Sequence, residues 1–382
     1  MKNVSFKIRR FVVLMFTLFF IQSLQASHAV GMDISVTWIG PGNLDYEIKV
    51  SFYRDCSGSN APGSLQVCYQ SSSCGVSGST LSMSQDPGTG QEISPICPSM
   101  NSRCSGGTLM GVQEYTYTET LTLPSACNDW QFSTSIYARN PAITTLNAPG
   151  TDAIWIYASL NNLDYPKNST PVFKNKPVPF ICANQPFIYN HGAIDPEGDQ
   201  LLYSLITPMD AAGSNSCNSN GIVTYLGGYS AQQPILSTPP VSIDPVTGDV
   251  IMNPTQQEIS VMAVLVEEFK NGVLSGSVVR DIQIVVEACT NTLPELTGIN
   301  GTAIFTDTLC AGNTLCFDIL SSDQDATQNL TLTWNQAISG GSFSSSFGQF
   351  PVGTFCWTPG ISDTSSFPHF FTVNVEDDNC PY

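Results

Sequence analysis

Ala193 to Leu205 reads AIDPEGDQLLYSL, which places three carboxylates, Asp195, Glu197 and Asp199, within five positions. A proline and a glycine lie between them, and an apolar, aromatic run follows at once. Acid–base catalysis, cation binding and a plain polar turn are the three readings such a cluster allows. A hard divalent cation such as calcium takes about six to eight oxygen ligands, so it needs several carboxylates and carbonyls close together with no helix to separate them. Alternate acids converge when the chain turns, and Gly198 permits the turn. Asp195, Glu197 and Asp199 are therefore candidate metal ligands, with calcium as the expected ion and with further oxygens from linker carbonyls or a neighbouring domain. Against this stands the plainer reading that Asp and Gly are common turn residues before a strand.

Catalysis is served poorly. Paired carboxylates that hydrolyse glycosides flank a cleft at about 5 to 9.5 Å and usually come from separate strands or loops, and the sequence marks no such cleft. The histidines are His28, His191 and His369. His191 lies four residues before Asp195 and has the chemistry of a ligand or base, but a lone histidine beside a turn is more often a surface or hydrogen-bonded residue. No GxSxG, HExxH or phosphate-loop motif occurs. The expectation is a protein that is not an enzyme and has no catalytic residues.

The acidic stretch recurs. ICANQPFIYNHGAIDPEGDQLL lies over LCAGNTLCFDILSSDQDATQNL at a constant offset of 128, matching Cys182 to Cys310, Asp195 to Asp323, Glu197 to Asp325, Gln200 to Gln328 and Leu202 to Leu330. GDVIMNP (248–254) parallels GTFCWTP (353–359), and V-x-V-E follows in both, as Val264, Val266, Glu267 and as Val373, Val375, Glu376. Two tandem copies of one sandwich account for this. Asp323 and Asp325 form the weaker metal site, because Thr327 stands where the first copy has Asp199. An ion at such a place stiffens the joint between domains. The first copy runs on through RDIQIVVEAC to Cys289 and the second does not, so the chain is expected to stop about one strand short, with a cysteine beyond residue 382 making the sulfur count even.

The elements that must position these acids are strands. In DYEIKVSFYRDC, Tyr46, Ile48, Val50 and Phe52 face one side and Glu47, Lys49 and Ser51 the other; 114–124, 129–139 and 152–160 alternate similarly. Long helical patterns are absent, and 25 Pro and 30 Gly are spread throughout. The fold class is all-β: tandem immunoglobulin- or cadherin-like β-sandwiches with disulfides. Thirteen cysteines fit no paired CxxC zinc spacing and read as disulfides of an oxidising compartment. Their odd number leaves one sulfur without an intrachain partner. MKNVSFKIRR, then an apolar run, then small residues make 1–26 a secretory signal peptide cleaved after Ala26. Removing its four basic residues leaves nine against 31 acids, a net charge of −22, which argues against nucleic acid and anionic membranes and favours multivalent cations. No later run is long and apolar enough to insert the mature chain in a membrane. Composition breaks at 163–179 and after Cys289 divide the chain into 27–170, an N-terminal β-rich domain; 171–290, a cadherin-like or Ig-like sandwich; and 291–382, a second sandwich truncated at its C-terminus.

SHAVGMDISVTWIGPGNLDYEIKVSFYRDCSG, ARNPAITTLN, IWIYASLNN, PVFKNKPVPFICANQPFIYNHGAIDPEGDQLLYSL and VSIDPVTGDVIMNPTQQEISVMAVLVEEFKNGVLSGSVVRDIQIVVEAC together resemble the N-terminal portion of large Bacteroidota cell-surface proteins. These are gliding-motility-associated or adhesin-like proteins with PKD and cadherin-like repeats, secreted by the type IX route. The DPxGDxLxYSL and DPxTGxxxxxP elements are the specific part of the likeness, which implies extracellular sandwiches with calcium at Asp195, Glu197 and Asp199. It departs at Tyr137, Ala138 and Arg139, where such proteins often carry a cysteine pair before the arginine. The expected function is a structural or adhesive surface protein whose sandwiches form a stalk, with cell-surface or extracellular glycans or proteins as partners; the alternative is a carbohydrate-binding region of a larger polysaccharide-degrading protein. Asn168, Asn300 and Asn329 each open a glycosylation-type tripeptide.

Overall fold

The alternation seen in the sequence sorts side chains across strands: Tyr46, Ile48 and Val50 are fully buried, while Lys49 between them is exposed. The computed structural model describes residues 28–96, 100–177, 180–325, 327–365 and 367–379. The expected signal peptide, residues 1–26, and Cys97 and Cys380 lie outside the described residues.

The N-terminal part supplies β1 (Ala29–Trp38), β2 (Asp45–Asp55), β3 (Ser64–Ser71), β4 (Val76–Ser84), β5 (Gln91–Glu92), β6 (Val112–Thr122), β7 (Trp130–Tyr137) and β8 (Ala153–Leu160). The middle part supplies β9 (Val172–Phe173), β10 (Phe180–Cys182), β11 (Phe187–Asn190), β12 (Ala193–Ile194), β13 (Gln200–Ile206), β14 (Met209–Asp210), β15 (Gly221–Ile222), β16 (Ser242–Ile243), β17 (Asp249–Met252), β18 (Glu258–Lys270) and β19 (Val273–Glu287). The last part supplies β20 (Glu295–Ile299), β21 (Leu315–Ser322), β22 (Leu330–Trp334), β23 (Ser342–Ser345), β24 (Val352–Trp357) and β25 (Val373–Asp377). Strands make up 48% and helix 3% of the described residues, so the fold is an all-β, sandwich-type architecture, with five disulfides among those residues.

The expected division at residue 170 does not separate two bodies. One sheet runs β4-β3-β7-β8-β19-β1-β2-β6-β5, with β18, β13 and β10 joined to it through β19 and β18. Strand β19 is fifteen residues long. It pairs antiparallel with β18 along its length, with β8 at Gly276–Val278 and with β1 at Asp281 and Ile282, and parallel with β10 at Val285–Glu287. One apolar core accordingly extends from Ala29 to Val286. Burying each large apolar side chain in it contributes about 1.5–3 kcal/mol. Two buried ion pairs fasten the same seam: Arg139 grips Asp281 with two bonds, of 2.9 and 2.6 Å, and Arg280 meets Asp33 at 2.8 Å. Cys68–Cys217 also crosses the expected boundary, and Cys182–Cys289 closes a span of 107 residues. The prolines and lysines of 163–179 thus mark a crossing segment rather than a linker between separate cores.

Residues beyond 290 have their own core, Phe317, Ile319, Ile338, Phe355 and Trp357, between the four-stranded sheet β20-β21-β24-β23 and the β22-β25 pair. The two segments matched in the sequence pair alike. Phe187 faces Met252 across β11–β17 as Leu315 faces Trp357 across β21–β24. After the acidic turn the match slips by one residue: Tyr203 faces Val266 and Leu332 faces Val375. Leu330 therefore corresponds to Leu201, not Leu202, and the second turn is one residue longer. Cys310 is exposed and carries no disulfide, in keeping with the odd sulfur expected from the count.

Candidate metal centre

The DPEGD turn is organised by its first acid. Asp195 Oδ1 accepts the backbone N–H of Glu197 at 3.0 Å and of Asp199 at 2.8 Å, while Gly198 takes a left-handed φ of 84°. With Oδ1 committed to holding the loop, Asp195 Oδ2 is buried and has no hydrogen-bond partner. It shares its surroundings with Asp199 and with Glu268, near the end of β18; one oxygen from each of the three lies within 4.8 Å of the others. Among the described residues this is the one cluster of metal-ligating side chains.

Glu268 is fully buried. Its Oε1 accepts from Asn168 Nδ2 at 2.8 Å and from Ser275 Oγ at 2.6 Å, and its Oε2 has no partner. A Cβ added to Gly276 would come within 2.6 Å of that Oε2, so the missing side chain at Gly276 is what leaves room beside it. Asn168, itself 1% exposed, has an unpartnered buried Oδ1. Two buried carboxylate oxygens without donors, Asp195 Oδ2 and Glu268 Oε2, in a cluster where protein donors already occupy the other oxygen of each, make the arrangement a hard cation completes.

Electrostatics agree. Burial, with the charges of Glu197 and Asp199, pushes Asp195 up to about 7 against the opposing backbone N–H bonds. Burial and then Asp195 push Glu268 up to about 8, opposed by Ser275 and Asn168. Lys270, the last residue of β18, is held above the ordinary lysine range by Asp199, despite burial working against its charge; the two pair at 2.7 Å.

Of the residues singled out from sequence, Asp195 and Asp199 come together. Glu197 points elsewhere: its two oxygens accept the backbone N–H of Ser169 at 3.1 Å and the Ser169 hydroxyl at 2.8 Å, so it grips the segment 163–170. Burial raises its pKa, and those bonds oppose the rise. His191 is not part of the cluster; it is fully buried beside Tyr189 and Phe173. The buried Asn168 of the Asn-Ser-Thr tripeptide is inaccessible to a glycan in the folded chain.

Glu268 and Asn168 were missed, and each had a signal. Val264, Val266 and Glu268 are all fully buried on one face of β18, so the alternation itself carries an acid onto the core side. Asn168-Ser-Thr-Pro has a second form, Asn291-Thr-Leu-Pro. There Asn291 Nδ2 donates to Asp377 at 2.8 Å and the Thr292 N–H donates to Asp325 at 2.9 Å, as Asn168 does to Glu268 and Ser169 to Glu197. Asp323 Oδ1 accepts from the Asp325 N–H at 2.8 Å, and its Oδ2 has no partner. Gln328, 8% exposed, stands at the counterpart of Asp199 and donates to Asn291 at 2.7 Å.

Neither a protein-family model nor a curated protein matches the chain. Among solved structures, surface layer protein SbsC, domains 1–6, aligns with 87% of this chain and 51% of its own at 12% identity, with a TM-score of 0.14. The chain spans about half the length of that protein, and a likeness this low carries no argument. Among the described residues no helix is long and apolar enough to cross a membrane.

Proposed function

We propose that this chain is an exported, non-catalytic structural and adhesive protein at the outer cell surface or beyond it, in which tandem β-sandwiches form a stalk and a calcium ion fastens the crossing segment at Asn168–Ser169 to the first body. The observation that carries the reading is where the acid cluster sits. The Asp195–Asp199 turn, the end of β18 and the crossing segment meet there, so an ion bound by Asp195, Asp199 and Glu268 ties three stretches of chain through Asn168. Five disulfides suit an oxidising compartment. The resemblance to Bacteroidota surface proteins favours extracellular glycans or proteins as partners. Limited proteolysis of the mature chain tests the junction: calcium should slow cleavage within 163–177 relative to chelator, and equal rates would remove the ion from the account.

A second reading, a carbohydrate-binding region of a larger polysaccharide-degrading protein, has one feature in its favour. Tyr137, 45% exposed, borders a groove of about 160 Å³ with Asn60, Ser214 and Asn215 and with the aliphatic Pro62, Leu65 and Ile136, so an aromatic ring stands beside two amides as a sugar ring requires. A glycan array separates the two: micromolar binding of a defined oligosaccharide, lost in Tyr137→Ala, supports the second reading.

A further inference from the structure

The acid cluster carries a cation of its own on its rim. Lys270 Nζ lies 2.7 Å from Asp199 Oδ2 with the side chain 32% exposed. It also lies 5.9 Å from the ring centroid of Tyr165, whose hydroxyl donates to the Lys270 carbonyl at 3.5 Å. The ammonium satisfies one of the three acids and leaves the other two untouched: the buried oxygens without partners, Asp195 Oδ2 and Glu268 Oε2, are those it does not reach.

We propose that Lys270 is the specificity-determining residue of this site, a tethered counter-charge that matches the three carboxylates to a divalent ion and is displaced from Asp199 toward the face of Tyr165 when the ion enters. The proposal rests on reading Asp195, Asp199 and Glu268 as a cation site. Three ionised carboxylates and one ammonium sum to a charge of −2, which a divalent ion neutralises. Displacement is short, because a lysine carries its point charge on a flexible stem, and the aromatic face beside it accepts a cation.

The second copy supports the same balance by other residues. With the register set by Val266 opposite Tyr203 and Val375 opposite Leu332, Glu268 corresponds to Asp377 and Lys270 to Asn379. Gln328 stands at the place of Asp199. The acid that Lys270 neutralises and the lysine itself are thus both replaced by neutral amides, and Asp323 with Asp377 keeps the pocket at −2. Asn379 there donates its N–H to Asp377 Oδ1 at 2.8 Å and its side chain to Asn291 at 3.2 Å. Losing the pair together leaves the charge unchanged, as expected if the lysine is there to offset Asp199.

Titration of the mature chain with calcium and with lanthanum, by calorimetry, tests this. Lys270→Met should bind calcium about tenfold more tightly, the factor that about 1.4 kcal/mol of relieved repulsion gives. Lanthanum should gain more, about thirtyfold, because the repulsion scales with the ion's charge; Lys270→Arg should restore wild-type values. An equal change for both ions, or no gain, overturns the proposal when wild type binds calcium. If wild type binds neither ion, the site reading fails and this inference with it. A measurement without substitution stands beside these: acetylation of Lys270 Nζ by an N-hydroxysuccinimide ester, followed by mass spectrometry, should speed up several-fold on calcium saturation, and an unchanged rate refutes the displacement.

Discussion

Calcium should stabilise this protein at alkaline pH and not at acid pH. Asp195 rests at about 7 against an ordinary 3.8, and Glu268 at about 8 against 4.5. Both are raised, so between about pH 4 and pH 8 the folded chain holds protons that the unfolded chain has released. The stability these groups contribute is complete below their unfolded values and is lost as pH rises through 7 and 8. For Asp195 alone, roughly three units amount to about 4 kcal/mol, and Glu268 acts in the same direction. A cation needs the ionised oxygens and competes with those protons. With an affinity of the extracellular-module class, 0.1 to 1 mM, a calcium concentration near 10 mM adds about 1.4 to 2.7 kcal/mol once the acids are ionised. That is about 3 to 8 °C in Tm for a body of this size. Melting curves with calcium or chelator at pH 5.5 and pH 8.5 provide the assay: a shift of several degrees at pH 8.5, and less than 1 °C at pH 5.5 where both acids keep their protons. Glu268→Gln should abolish the shift and flatten the loss of stability with pH in chelator. Shifts of equal size at both pH values, or none at pH 8.5, would refute the reasoning.

Gly276→Ala should remove the calcium shift and cost about 1–3 kcal/mol in chelator, because its methyl comes within 2.6 Å of the buried Glu268 Oε2 and 3.3 Å of the Ser159 carbonyl; paired melts with and without calcium read this. Asp281→Asn leaves the Arg139 guanidinium, 1% exposed, without its counter-charge and should cost about 3–5 kcal/mol in urea unfolding. Removing the Cys182–Cys289 bridge by a double substitution to serine should cost about 2–5 kcal/mol by the same measurement, falling on the β10–β19 end of the sheet.

The parts of this architecture that were legible in the sequence are those written within one strand or one turn. Tyr46, Ile48 and Val50 announce their buried face by spacing alone, and Asp195 and Asp199 sit in a single turn, so their convergence needs no knowledge of the rest. Glu268 is masked in the sequence because the repeated V-x-V-E ends on Glu267, although the next acid is the one that continues the buried face of Val264 and Val266. Asn168 shows in the sequence only as the start of a glycosylation-type tripeptide, because its partner Glu268 lies 100 positions away. The boundary at 170 misled for a physical reason: Pro and Lys clusters describe an exposed crossing, and composition does not say whether the sheets on either side are one. That fact is held in the pairing of β1 with β19, about which neither strand carries local information.

The same pairing bears on how the chain can be made. Strand β1, which begins at Ala29, finds this second neighbour at Asp281 and Ile282 only once the chain has been made that far. A ribosome delivering the chain from its amino end leaves the early strands with an unfilled lane until β19 emerges, so the first body cannot close piecemeal.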